Sequence, residues 1–250
     1  MELDVVAAQR MRLSDTISAL MIDWISVGGL EPGTPLPSEA ELARRFSVSK
    51  PVIREALGRL STLGAVQIRQ GRPTVVAEMT SRPLTEFFSL AVQMKSEGLR
   101  EAVELRRAIE TQTAALAAER ATEEDIEDLR AQTNRMAAEE STEGWIEADI
   151  EFHLRIAQTA RNSLISFLMD ALQETMRFSI RSLQHFRGQH PVSKKMEHHL
   201  ALLAAIEKHD PAAAAQAMDL HFDSSRALIH QILAEQTRAA PGDASPPRVH

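Results

Sequence analysis

The segment LPSEAELARRFSVSKPVIREALGRLSTLGAVQIRQGRPTVV, residues 36–76, decides the fold of the N-terminal part of the chain. It opens on a helix-start signal: Ser38 stands at a capping position and Glu41 follows three residues later, the spacing of a capping box. The turn Phe46-Ser47-Val48 keeps that helix short. Ser49 then caps a second helix, with Pro51 in its first turn, where a missing N–H does little harm. Ile53, Ala56, Leu57, Leu60 and Leu63 recur at helical spacing as its buried stripe, and Gly64 ends it. AVQIR and TVVAE, flanking QGRP at 70–73, read as a small two-stranded wing. Upstream, Ile17, Leu20, Met21, Trp24 and Ile25 mark one stripe of a helix over 9–27, followed by the loop GGLEPGTPLP at 28–37. The order is that of a winged helix-turn-helix, whose second helix enters the major groove with its N-terminal residues nearest the base edges.

Here that helix begins Ser49-Lys50-Pro51-Val52-Ile53-Arg54. Lys50 and Arg54, four apart, share the face opposite the buried stripe. An Arg reaches guanine O6 and N7 in bidentate fashion, while a Lys acts as a point charge on base or phosphate. Arg72, with Gln70 and Gly71 at the wing tip, is placed for DNA backbone or minor groove, and Arg44, Arg45 and Arg59 for phosphates or solvent. On spacing alone, a solvated basic helix accounts for the same residues. The whole chain carries a net charge of −7, yet residues 38–76 hold seven Lys/Arg against three Asp/Glu. Residues 1–37 carry a net −3 and residues 77–250 a net −8. A basic segment beside a long acidic one points to two domains with different partners.

The 250 residues are 44 % hydrophobic and 25 % charged, ordinary for a soluble globular chain. The lack of cysteine excludes a disulfide scaffold, a thiol nucleophile and any cysteine-ligated zinc or iron–sulfur site. Apolar runs end well short of a membrane span, and the N-terminus MELDVVAAQR has acids where a signal peptide carries lysines, so the expected location is the cytoplasm. Beyond Arg82 the pattern is helical throughout, with amphipathic segments at about 83–96, 99–120, 122–139, 142–160, 162–187, 192–208 and 211–236. Thr122 with Asp125, Ser141 or Thr142 before Trp145, Asn162, and Asp210-Pro211 are their start signals. The expected architecture is mainly α. A winged helix-turn-helix over 1–77 precedes an all-α bundle of about seven helices over 83–236, with 77–82 as linker and a disordered tail at 237–250 rich in Pro, Gly and Ala.

The nine histidines all lie beyond residue 150. Asp149 and His153 are i, i+4 on one helix, so their side chains converge on one face. His199 and His221 fall on consecutive helices joined at Asp210-Pro211, and an antiparallel pair about that turn puts them near the same level. One Asp and three His from three helices form an N/O set suited to Zn²⁺, Mn²⁺, Ni²⁺ or Fe²⁺. Scattered packing or surface histidines fit the same periodicity. Arg106 stands at i, i+4 spacing from Glu110, which allows a surface salt bridge.

The 36–76 stretch closely resembles the DNA-binding domain of GntR-family bacterial transcription regulators, whose pattern carries L-P-S-E, L-A, V-S, V-R-E-A-L, L and G at these spacings. The resemblance implies DNA-contacting positions at Ser49, Lys50, Arg54, Gln70 and Gly71. The chain departs from the pattern at Ala40, where members often carry an Arg, at Lys50, commonly Arg, and at Pro73, usually a wing glycine, so the operator sequence does not carry over. The blocks REAVELRRAIE, DIEFHLRIAQTARN and HLALLAAIEKHDPAAAAQAMDLHF resemble the FCD ligand-binding domain of the FadR subfamily. Many such domains hold a divalent metal through one Asp and three His, positions that match Asp149, His153, His199 and His221. Helical register favours His199 over His198, and His185, His190, His209, His230 and His250 are read as packing or solvent-facing. The resemblance also implies an effector carboxylate at Arg106 and a pocket or capping role for Asn162.

The expected function is a homodimeric, ligand-responsive repressor that binds a palindromic operator and is released by an organic-acid or sugar-acid effector at a metal site, zinc foremost. One rival is a metal-dependent enzyme acting on a small acid, for which Glu147, Glu151 and Glu197 are candidate bases by sequence proximity only. The other is a regulator whose metal is purely structural.

Overall fold

The fold is given by a computed structural model, which describes the backbone of residues 2–95, 97–187 and 192–223 and the side chains of 13–95, 97–181 and 196–223. The elements are α1 (Glu2–Val27), α2 (Glu39–Arg45), α3 (Lys50–Thr62), β1 (Val66–Gln67), β2 (Val75–Val76), α4 (Arg82–Gln93), α5 (Gly98–Arg120), α6 (Glu123–Ala138), α7 (Thr142–Thr159), α8 (Ser163–Arg187), α9 (Val192–Glu207) and a last helix over 211–223, α10. They divide into two compact units, Met1–Pro83 and Leu84–His250. The fold is mainly α, with a small wing and, among the described residues, seven helices after residue 81. The expected end of the last helix at 224–236 and the tail at 237–250 lie outside the described residues, as do the side chains of His185, His190, His230 and His250.

In the first unit α3 buries Val52, Ile53, Ala56, Leu57 and Leu60 against Ile17 and Met21 of α1, Leu42 of α2, and Leu36, Val66 and Val76. Each fully buried side chain of this kind is worth roughly 1.5–3 kcal/mol of transfer free energy. Two residues of the expected stripes lie elsewhere: Leu20 is 48 % and Leu63 57 % exposed. Leu63 is the C-cap of α3, and the chain turns away at once through Gly64, whose φ of +78° suits a residue without a Cβ. On α1 the inner face carries Ser14 and Ser18 instead of bulk. Their hydroxyls reach the Glu55 carboxylate at 3.0 Å and the Ser14 carbonyl at 2.8 Å, so no donor is stranded by the close approach of α1 to α3.

The caps are partly as the sequence indicates. Ser38 Oγ accepts from the Glu41 N–H at 3.2 Å, but the reciprocal arm of the box is absent because the Glu41 carboxylate is taken by Arg44 and Arg45. Ser49 sits at the N-cap of α3 without a side-chain cap bond. The strands are two residues each, shorter than AVQIR and TVVAE suggest. The ladder stops at Gln67 and Val75, and β2 also shares its backbone with the 28–37 loop on its other edge. The Gly33 and Leu36 N–H groups donate to the Val76 and Thr74 carbonyls at 2.8 Å, and the Val76 N–H donates to Thr34 at 2.9 Å. Pro35 bridges Val75 on the side away from β1.

The second unit is built around α7, most of whose residues from Trp145 to Thr159 are buried and which packs against α5, α6 and α8, while α9 lies on α5 and α6. Phe152, Leu129, Met136, Ile146, Ile156, Met169, Met176 and Ile206 fill its core. The start signals act locally. Thr122 and Asp125 form a complete capping box, and Ser141 caps α7 by accepting from the Gly144 N–H. Asn162 Oδ1 accepts from the N–H groups of Leu164 and Ile165, and Asp210 Oδ1 from that of Ala213.

Candidate DNA-binding face and metal centre

In the first unit Ser49, Lys50 and Arg54 stand exposed at the start of α3, and Gln70, Gly71 and Arg72 are exposed at the wing tip, which Gly71 turns at a φ of +70°. Arg54 is held in place: its Nε and Nη2 donate to the Glu39 carboxylate at 3.2 and 2.7 Å. That hydrogen-bonded pairing raises the Arg54 pKa and holds the Glu39 carboxyl below its usual value. Arg59, expected to face phosphates or solvent, is paired with Asp15 of α1 and lies 3.9 Å from Glu55. Arg44 and Arg45 are exposed and share Glu41.

In the second unit the inward face of α7 presents Asp149 and His153, α9 presents His199, and α10 presents His221. One ring nitrogen from each of the three histidines lies within 4.8 Å of the other two. The His199 and His221 ring centroids are 4.7 Å apart, and those of His153 and His221 5.1 Å. Asp149 joins through a single neighbour, its Oδ1 being 2.9 Å from His199 Nε2. Two ligand atoms each about 2.1 Å from one ion and at right angles to it are about 3 Å apart, so this separation suits adjacent positions around one cation. His198 lies half-buried outside the group, its ring 6.4 Å from that of His221. His209 is exposed and its Nδ1 meets the Ala118 carbonyl at 3.0 Å.

The electrostatics suit a cation. Burial alone would raise the Asp149 carboxyl, but the hydrogen bond and charge of His199, with His153 and His221, hold it far below the usual carboxylate range. His221 keeps some solvent contact, yet its ring is enclosed by His153, His199 and Phe222. Burial of that ring, then the charges of His199 and His153, push its pKa well below 6.5, favouring the neutral imidazole that metals bind. His153 Nε2 is buried and has no hydrogen-bond partner among the described residues. A buried, unsatisfied nitrogen costs about 1–3 kcal/mol unless something takes its lone pair. The set of three imidazoles and one carboxylate therefore fits a borderline divalent ion such as zinc.

Arg106 is no surface residue: with Glu110 it forms a buried pair, Nε to Oε1 at 2.8 Å, both side chains at most 5 % exposed. Its Nη1 lies 3.4 Å from Ser179 Oγ and its guanidinium 5.3 Å from the centre of the Phe222 ring. Glu110 does more than pair with Arg106, since its Oε2 lies 2.6 Å from His153 Nδ1. Burial opposes its charge, but Arg106 and then His153 keep its carboxyl below the ordinary range. The next residue, Arg107, reaches Asp219 at 2.7 Å through two nitrogens and Asp223 at 2.8 Å, tying α5 to the helix that carries His221. Spacing reveals neither link, because both partners of each lie on distant helices. Asn162, exposed at the start of α8, is engaged in its cap and not among the contacts of Arg106. A cavity of about 590 Å³ is lined by Leu99, Thr175, Phe178, Lys95, Arg177 and Arg181 among others. Its arginines are paired with Glu147, Glu174 and Glu143.

Among the described residues no helix is long and apolar enough to cross a membrane. Residues 13–76 match the family of bacterial regulatory proteins, gntR family, and residues 101–224 match the FCD domain. The HTH-type transcriptional regulator LutR of Bacillus subtilis (strain 168) is 34 % identical over 202 residues, covering 79 % of this chain and 92 % of its own. The HTH-type transcriptional repressor NanR of Cronobacter sakazakii (strain ATCC BAA-894) is 30 % identical over 227 residues, covering 86 % of this chain and 84 % of its own. A solved GntR structure from Streptococcus agalactiae superposes with a TM-score of 0.62 at 25 % identity, covering 86 % of this chain and 99 % of that one. These likenesses set aside the metal-dependent enzyme: the protein is a DNA-binding transcription regulator. The chain belongs to the GntR family of bacterial transcription regulators, in the FadR-type branch that pairs a winged helix-turn-helix with an FCD domain.

Proposed function

We propose that the protein is a cytoplasmic, homodimeric repressor released from a palindromic operator by an organic-acid or sugar-acid effector. Residues 1–77 are its DNA-binding domain and 83–236 its effector, metal and dimerisation domain. Ser49, Lys50, Arg54, Gln70, Gly71 and Arg72 make the DNA contacts, the two-fold symmetry of a dimer matching that of the operator. The sign of regulation follows the relative named as a repressor.

The observation that carries the effector half is the convergence of His153 and His199, both buried, and the partly buried His221 around a common point, with Asp149 at its edge and Arg106 linked to it through Glu110. Asp149, His153, His199 and His221 hold the ion, zinc by donor chemistry, with Mn, Ni or Fe as alternatives. A bound divalent cation supplies one positive pole for an organic anion, and Arg106 supplies the other. Asn162 stays with its cap and leaves the effector contact to Arg106. An effector shifts the dimer between DNA-competent and incompetent states only through different affinity for the two.

The test is a thermal-shift screen of zinc-loaded and chelated protein against a panel of organic and sugar acids. A ligand at about 100 times its Kd adds ~2.7 kcal/mol of stability. Hits that require zinc and that weaken operator binding support the reading. Zinc stabilisation with no acid hit makes the ion structural, and no zinc stabilisation removes the metal centre.

A further inference from the structure

We infer that Glu110 is the positioning residue that couples Arg106 to the histidine cluster, so that what happens at the guanidinium is felt at the metal ligands and the reverse. The inference deepens the proposed function and rests on its metal centre and effector arginine. Its grounds are geometric. Glu110 has two carboxylate oxygens and divides them: Oε1 accepts from Arg106 Nε at 2.8 Å, and Oε2 lies 2.6 Å from His153 Nδ1. Arg106, Glu110 and His153 are all buried, so water does not screen the chain of contacts.

The consequence for His153 is a choice of tautomer. A carboxylate accepts only, so Nδ1 carries the proton facing it, and in the neutral ring that a metal binds Nε2 is left bare. Nε2 is buried with no hydrogen-bond partner among the described residues, whereas Nδ1 has the Glu110 carboxylate at 2.6 Å. Glu110 thus presents a lone pair to the cluster and makes the ring a better ligand, as carboxylates behind metal-bound histidines do. The same carboxylate is also the counter-charge of Arg106. An organic anion that draws on the guanidinium leaves more of the Glu110 charge to His153, and an ion that draws on His153 leaves less of it to Arg106. Binding at the two ends is therefore coupled, and the coupling must be reciprocal.

The substitution Glu110→Gln separates this role from simple packing. The amide keeps the shape and has one acceptor; with that oxygen on Arg106 Nε, its NH₂ faces His153 Nδ1 and favours the Nε2–H tautomer, which cannot bind a cation. The measurement is zinc affinity by competition with a chelator on the full chain, for wild type, Glu110→Gln, Arg106→Met and the double variant, with His199→Ala as control. We expect Glu110→Gln to weaken zinc about 10–100-fold. Arg106→Met should strengthen zinc binding in the wild-type background, and by a factor at least threefold smaller in the Glu110→Gln background. Equal factors in both backgrounds leave Arg106 acting through space alone and overturn the coupling. Wild-type zinc binding lost in His199→Ala but unchanged in Glu110→Gln overturns the inference while sparing the metal centre, whereas a wild type that binds no zinc removes both.

If Glu110→Gln does not fold, ¹⁵N spectra of the metal-free wild type read the His153 tautomer directly. Protonated Nδ1 with bare Nε2 is the expected result, and protonated Nε2 overturns the assignment.

Discussion

Glu39, in the first turn of α2, grips the guanidinium of Arg54 on α3 by two hydrogen bonds of 2.7 and 3.2 Å. Both partners are exposed, so the pair adds little to stability. Its effect is to fix an otherwise floppy side chain with one guanidinium edge occupied and the other open. Arg54→Ala should cost about 1–3 kcal/mol at the operator and relax its sequence preference, leaving the melting temperature of the free protein unchanged. Glu39→Gln should raise affinity for random DNA, because a negative charge leaves the binding face, yet lower the ratio of operator to random binding. Fluorescence anisotropy at one fixed salt concentration reads both. An unchanged ratio in the glutamine variant would show that Arg54 orders itself.

Removing a single imidazole should abolish the response to metal. His199→Ala is expected to lose the zinc-dependent rise in melting temperature, which in wild type at 100 times the Kd corresponds to ~2.7 kcal/mol. His198→Ala, one residue earlier and outside the group, should keep it. Loss of the zinc response in His198→Ala alone would move the centre by one residue.

The metal-free protein should weaken as the pH drops below neutral. The His221 pKa is depressed in the folded state, so the unfolded chain binds a proton below about pH 6.5 that the folded chain refuses. Stability then falls with falling pH, by at most about 1.4 kcal/mol per unit from this residue. Asp149 and Glu110 are also held below their ordinary values of 3.8 and 4.5. Their contribution is complete above those values and is lost as pH falls through the lower folded ones. Urea melts at pH 7.5 and 5.5 measure the upper limb, and His221→Gln should flatten it. Equal slopes for the two proteins would exclude His221 as its source.

Arg107→Met should trade a small loss of stability for a larger loss of zinc affinity. The Arg107 network with Asp219 and Asp223 is a third to nearly half exposed, which limits its worth to about 1 kcal/mol. Yet Asp219 precedes His221 by two residues, so the clamp sets the height of that ring. Calorimetric titration with zinc should show several-fold weaker binding, while an unaltered affinity would mean that α10 is held in place without the clamp.

What is legible in the sequence is local. Helix ends emerge within a residue or two from Thr122 to Asp210, because a cap is settled by the three or four residues around it. Periodicity places Leu63 in the buried stripe because it does not register the C-cap, where the next residue leaves the helix. It also draws the wing strands too long, and it misses the 28–37 loop on the other side of β2, a pairing across some forty residues. Arg106 and Glu110 are visible as an i, i+4 pair, but their burial depends on α7, α8 and α10 closing over them. The contact between Glu110 and His153 joins different helices, and no spacing rule reaches that far.

The doubly bordered β2 also protects the protein from its own copies. A two-stranded ribbon with an open flank is an invitation to strand addition, above all for a molecule concentrated along DNA. Here the flank opposite β1 is already covered by residues 33–36, and Pro35 at the outer margin has no N–H to offer a newcomer. On that flank the wing ends in its own seam: its tip stays exposed, while this edge is closed to strand addition.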